Sequence, residues 1–226
     1  MNTNPVFVAV DLPTLDGARN LVTRVAPHVG GVKLGLEFFC AQGPAGVAAV
    51  AALGLPVFLD LKLHDIPNTV AGALHSLGPL APAIVTVHAG GGHAMLAAAR
   101  AAAPAATRVI AVTVLTSLDD DDLAAAGVAG GTASQVTRLA GLVHGAGLDG
   151  VVASPHETAA VRAAWPEALI VVPGVRPVGS AAGDQKRVMT PRQALAAGAS
   201  ILVIGRPITG AAHPAAAAAA IARDLS

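Results

Sequence analysis

Short runs of β-branched and other apolar residues alternate with longer alanine- and leucine-rich runs along this chain. The short runs cover residues 6–10, 31–34, 57–61, 84–87, 109–114, 150–152, 169–172 and 201–204. They are almost continuously apolar, which is the pattern of strands covered on both faces, so a parallel sheet is predicted. Between them, residues 15–25, 44–53, 95–103, 134–144 and 191–197 read as helices. The alanine run at 215–220 reads as the last helix, with Pro214 near its start, where a missing N–H is tolerated. Eight such strands alternating with helices within 226 residues predict an α/β fold, a small TIM (β/α)8 barrel. Alternation alone cannot show closure, so an open doubly wound sheet is the alternative. No linker-like stretch divides the chain, and residues 1–226 are read as one catalytic domain.

Composition sharpens this picture. Hydrophobic residues make up 54% of the chain and charged residues 12%, a balance that suits a buried sheet wrapped by helices. The formal net charge is +0, so nothing favours nucleic acid or a membrane surface as a partner. A phosphate site would have to be built from a few placed groups. The single cysteine, Cys40, rules out an intrachain disulfide framework and points to a reducing, cytoplasmic setting. Residues 1–5 are too short and polar for a signal peptide ahead of the first strand. Elsewhere Arg, Pro, Asp or His interrupts the apolar runs before they reach membrane-spanning length.

Against that scarcity of charge, Asp60, Lys62 and Asp65 fall within six positions at the end of the third strand. Asp60 and Lys62 are two apart, so a regular strand projects both to one face, into the barrel mouth, while Leu59 and Leu61 face the helices. Asp65 follows where the chain leaves the strand. Asp11 closes the first strand and Lys33 lies in the second. The C-terminal mouth, where chemistry resides in this fold, would gather Asp11, Lys33, Asp60 and Lys62. A structural ion-pair plug is the plainer reading, but buried ion pairs contribute little net stability.

The loops after strands seven and eight are the usual phosphate position in such barrels. Here they read Pro173-Gly174-Val175-Arg176-Pro177, then a Gly/Ser/Ala stretch to Gly183-Asp184-Gln185-Lys186-Arg187, and Gly205-Arg206-Pro207-Ile208-Thr209. Gly205 permits close approach of a phosphate, Arg206 offers charge-assisted hydrogen bonds, and a helix starting near Arg206 would add free N–H groups. The glycine- and alanine-rich loop suits a closing lid.

Together these segments resemble the bacterial branch of the orotidine 5'-monophosphate decarboxylase family. The resemblance rests on Val8-Ala9-Val10-Asp11, Val32-Lys33-Leu34-Gly35, Asp60-Leu61-Lys62-Leu63-His64-Asp65-Ile66-Pro67-Asn68-Thr69, Thr113-Val114-Leu115-Thr116-Ser117, Ile204-Gly205-Arg206-Pro207 and the two segments after strand seven. It implies decarboxylation of orotidine 5'-monophosphate (OMP) to UMP with no metal and no cofactor. Lys33, Asp60, Lys62 and Asp65 would form the charge network around the scissile carboxylate, with Lys62 protonating C6. Asp65 would come from the partner in a homodimer with shared sites. Asp11 and Lys33 would bind the ribose hydroxyls. Thr69 and Thr116 would add ligand contacts, the latter near the base. Arg176, Gln185, Gly205 and Arg206 would form the lid and phosphate group. The chain has no Tyr, so phosphate contacts made by Tyr in some relatives cannot be carried over.

Other readings stay in view. His64 and His88 with Asp60 could suggest a metal-dependent barrel epimerase, but Lys33 and Lys62 would put cationic charge where a metal should sit. The three histidines 64, 88 and 93 are read as packing and hydrogen-bonding residues instead. A Mg-dependent keto-sugar-phosphate decarboxylase would carry an acidic ligand where this chain has Lys33. A non-catalytic nucleotide-binding barrel would not need Lys62. Glu37, Asp149 and the acidic run 119–122 read as solvated or capping residues, and Cys40 and Trp165 as packing residues.

Overall fold

A computed structural model describes residues 4–177 and 189–225. Its strands are β1 (Val6–Ala9), β2 (Gly31–Gly35), β3 (Val57–Leu63), β4 (Ile84–His88), β5 (Arg108–Val112), β6 (Gly150–Val152), β7 (Leu169–Val172) and β8 (Ile201–Ile204). All pair in parallel and in sequence order, and β8 returns to pair with β1, closing the barrel. Closure removes the open doubly wound alternative.

The continuous apolar strands serve two cores. Val6 and Val8 of β1, Val32 and Leu34 of β2, and Leu59 of β3 point outward into the layer beneath the helices. Phe7, Phe58, Ile84, Ile110, Val171 and Val203 point inward and fill the barrel. Lys33 and Asp60 belong to this inward set by alternation, one layer above the apolar plug. Gly31 matters to the plug, because a Cβ there would lie 2.3 Å from the Phe7 ring.

The helices around the barrel are α1 (Leu15–Val25), α2 (Leu36–Ala51), α3 (Pro67–Leu77), α4 (Gly92–Ala102), α5 (Asp120–Ala125), α6 (Gly131–Gly145), α7 (Thr158–Ala164), α8 (Pro191–Ala196), α9 (Arg206–Thr209) and α10 (Pro214–Leu225). The alanine run is thus the last helix, as expected. α2 starts well before residue 44, because the Gly43-Pro44 break is a kink within it, with Gly43 at φ 60°. Asp119 caps α5 in a reciprocal capping box with Asp122. Trp165 is buried and stacks on His144 at 4.4 Å between ring centroids. Cys40 does not pack as expected. It lies on the exposed side of α2, while Phe38 turns inward from the same helix. Among the described residues, no helix is long and apolar enough to cross a membrane.

Candidate active site

The mouth gathers an alternating row of charges. Lys33 Nζ, nearly buried, donates to Asp11 Oδ1 at 3.1 Å and lies 3.6 Å from Asp60 Oδ2. Lys62 Nζ donates to both Asp60 oxygens at 2.9 Å. The row therefore runs Asp11, Lys33, Asp60, Lys62, with each cation flanked by or facing a carboxylate. Gly35 makes room for it, since a Cβ there would meet Lys33 Nζ at 2.9 Å and Asp11 Oδ1 at 3.0 Å. Sequence reasoning did not single out Gly35; only its place above Lys33 on the inner wall gives it meaning.

Asp60 and Lys62 do meet, but not by regular alternation. Lys62 has φ 51°, in the left-handed region, and the β3–β4 register shifts between Leu59 and Leu63. The strand bulges at the point where its charged side chains emerge, a common way to re-aim a side chain near a functional site. The bulge is keyed to Thr86 of β4. Its hydroxyl accepts from the Lys62 backbone N–H and donates to Asp60 Oδ1, both at 2.9 Å. Thr86 also went unremarked in the sequence, where a threonine in a β-branched run looks like ordinary strand.

Two clefts open beside this row and share Lys33, Pro173 and Val203. One, of about 150 Å³, is mainly apolar, lined by Phe58, Val112, Val152 and Val171 together with Asp60, Lys62 and Thr116. The other, of about 370 Å³, is more polar and is lined by Asp11, Gly174, Arg176, Gly205 and Arg206. The arrangement suits a ligand with a flat, largely apolar end and an anionic end.

Asp65 and Thr69 lie apart from this constellation. Both are exposed and line neither cleft. The Asp65 carboxylate accepts from the backbone N–H of Ile66 at 2.7 Å, and Thr69 sits in the first turn of α3. Gln185 and the 183–187 segment, expected as part of the lid, lie outside the described residues. The helix start at Arg206 offers fewer donors than expected. α9 is a four-residue turn, Pro207 has no N–H, and the N–H groups of Ile208 and Thr209 both go to the Gly205 carbonyl. The positive charge of this cleft therefore comes from the Arg176 and Arg206 side chains, with Lys33 shared from the charged row.

The histidines behave as packing and hydrogen-bonding groups. His64 and His88 stack at 5.2 Å, and His93 Nε2 lies 3.3 Å from the Gly145 carbonyl. Burial, then His64, then Lys62 hold the His88 imidazole below the ordinary histidine range. The neutral ring accepts from the Gly90 N–H through Nδ1 at 3.1 Å and adds no further positive charge beside Lys62. Among the described residues, no group of three or more His, Cys, Asp or Glu side chains converges in a metal-holding arrangement.

Over residues 4–221 the sequence matches the Orotidine 5'-phosphate decarboxylase / HUMPS family. It is 59% identical over 223 residues to orotidine 5'-phosphate decarboxylase of Novosphingobium aromaticivorans, covering 99% of this chain and 100% of that one. Identity to the enzyme of the same name from Sphingopyxis alaskensis is also 59%, with the same coverage. The crystal structure of orotidine 5'-phosphate decarboxylase from Lactobacillus acidophilus superposes with a TM-score of 0.86 at 36% identity, covering 99% of both chains.

Proposed function

This chain belongs to the orotidine 5'-phosphate decarboxylase / HUMPS family, and from that membership we propose that it is the carboxy-lyase converting OMP to UMP in pyrimidine biosynthesis. The observation that carries the reading is the Asp11–Lys33–Asp60–Lys62 row set between an apolar and a cationic cleft. The pyrimidine lies in the apolar cleft near Thr116, and the 5'-phosphate meets Arg176, Arg206 and Gly205, with Gln185 joining from the 183–187 segment. Asp11 and Lys33 hold the ribose hydroxyls between the two ends, and Thr69 adds a contact from the rim.

The chemistry follows from the residue types. Breaking the C6–carboxylate bond releases CO2 and leaves its electron pair on C6. The Lys62 ammonium stabilises that charge and then transfers a proton to it, forming the C6–H bond; the resulting amine regains a proton from solvent. Asp60 holds the ammonium in place, at 2.9 Å through both oxygens. The acceleration required lies toward the upper part of the ~8–23 kcal/mol enzymatic range, more than one proton donor supplies. Phosphate and ribose contacts therefore contribute remote binding energy to desolvating and orienting the reacting end.

The catalytic unit is a homodimer of single-domain chains in the cytoplasm, and Asp65 completes the charge row from the neighbouring subunit. Two features support this. Asp65 stays outside its own chain's row, and the large exposed apolar side chains among the described residues, Leu36, Ile66 and Leu115, all follow strand ends on the mouth side. A partner packed over this rim would cover them.

No metal takes part. Two ammonium groups face Asp60, where a metal-dependent relative would need an acidic ligand in place of Lys33. Purified protein treated with EDTA should convert OMP to UMP at the untreated rate. Loss of turnover on chelation, restored by Mg2+, would point to the keto-sugar-phosphate decarboxylase alternative.

A further inference from the structure

Thr86 is fully buried on the inner wall of the barrel and lines neither cleft. Its hydroxyl has two partners at 2.9 Å, the Lys62 backbone N–H and Asp60 Oδ1. A hydroxyl carries one hydrogen, so donation to Asp60 fixes its rotor and turns a lone pair toward Lys62. Asp60 Oδ1 in turn receives the Lys62 ammonium at 2.9 Å. One oxygen on β4 thus ties together the backbone of Lys62 and the carboxylate that grips its side chain.

The need for that tie lies in the backbone. Lys62 occupies the left-handed region at φ 51°, which disfavours any residue with a Cβ. The regular ladder to β4 is interrupted at this point, so the Lys62 N–H has lost its place in it. A polar backbone group in such surroundings requires a partner, and Thr86 supplies it from a side chain. A strained residue persists only where its surroundings determine it.

We propose that Thr86 is a positioning residue for decarboxylation: its hydroxyl holds Lys62 in the left-handed bulge and orients the Asp60 carboxylate, so that the Lys62 ammonium is aimed at the reacting carbon. This rests on the reading of Lys62 as proton donor. Thr86 does not touch the substrate; it acts through Asp60 and Lys62.

The test compares Thr86→Val, which keeps the shape and removes the hydroxyl, with Thr86→Ser, which keeps the hydroxyl. For Thr86→Val, kcat on OMP should fall roughly 10- to 10²-fold, the scale of a small misplacement of a catalytic group, while UMP affinity changes by less than about threefold. Thr86→Ser should recover most of kcat. Should Thr86→Val not fold, the same decision is read from Thr86→Ser against Thr86→Ala, two small residues differing by the hydroxyl. A wild-type kcat without the hydroxyl, or an equal loss of kcat and UMP affinity, overturns the proposal. Lys62→Ala runs beside these variants. If it retains turnover, the Lys62 reading fails first; if it is inactive and Thr86→Val is not impaired, the positioning role alone fails.

Discussion

Arg176 and Arg206 line the same cleft in different settings. Arg176 is nearly buried and donates to its neighbouring Val175 carbonyl, whereas Arg206 is exposed at the first position of α9. A guanidinium exposed at a cleft edge can be removed without opening a hole in the packed interior, so Arg206 is the sharper probe of the proposed phosphate end. Arg206→Ala should weaken OMP strongly, since each lost charge-assisted hydrogen bond is worth roughly 1.5–3 kcal/mol. Turnover of orotidine, which lacks the phosphate, should barely change. Steady-state kinetics on both substrates decide it, and an equal penalty on the two would make Arg206 a structural residue. The scarcity of charge made this site legible, because a Lys or Asp ending a buried strand stands out. Thr86 and Gly35 were not legible, since their work exists only across strands: one partners a bulge that no periodicity signals, the other clears space for the Lys33 ion pair with Asp11, just past the end of β1.

The strands could be read from the sequence because both of their faces are buried, and continuous apolar runs follow directly from that. The helices were harder. α7 spans only Thr158–Ala164, too short to show a helical period, and α3 opens directly after the conspicuous charged motif at the end of β3, which masks its start. At α2 the Gly43-Pro44 pair looked like a helix boundary but marks a kink inside one. Packing within the barrel imposes a further constraint on β1 and β2. Phe7 fills space above Gly31, where a Cβ would approach its ring to 2.3 Å. Gly31→Ala should therefore overpack the plug and destabilise the fold by about 1–3 kcal/mol. Urea unfolding would show it as a lower midpoint with an unchanged slope, and Phe7→Leu in the same chain should recover part of the loss. An unaltered midpoint for Gly31→Ala alone would mean that the plug has slack.

At the scale of the whole molecule, the barrel positions most of a site and leaves one carboxylate outside it. Asp11, Lys33, Asp60 and Lys62 converge within one chain, whereas Asp65 lies exposed beyond the end of β3, held by the Ile66 N–H. The proposed two-fold dimer resolves this by exchange, each chain lending Asp65 to the other, and an isologous contact supplies the exchange twice. Complementation tests that arrangement most directly. Lys62→Ala and Asp65→Ala chains, each inactive alone, are mixed in equal amounts and allowed to exchange subunits. If Asp65 acts in trans, each heterodimer has one site lacking both groups and one site with both intact. Random mixing makes about half of the dimers hetero, so roughly a quarter of all sites should recover activity on OMP. Activity that stays at the level of the single variants, with subunit exchange verified, would contradict the shared site.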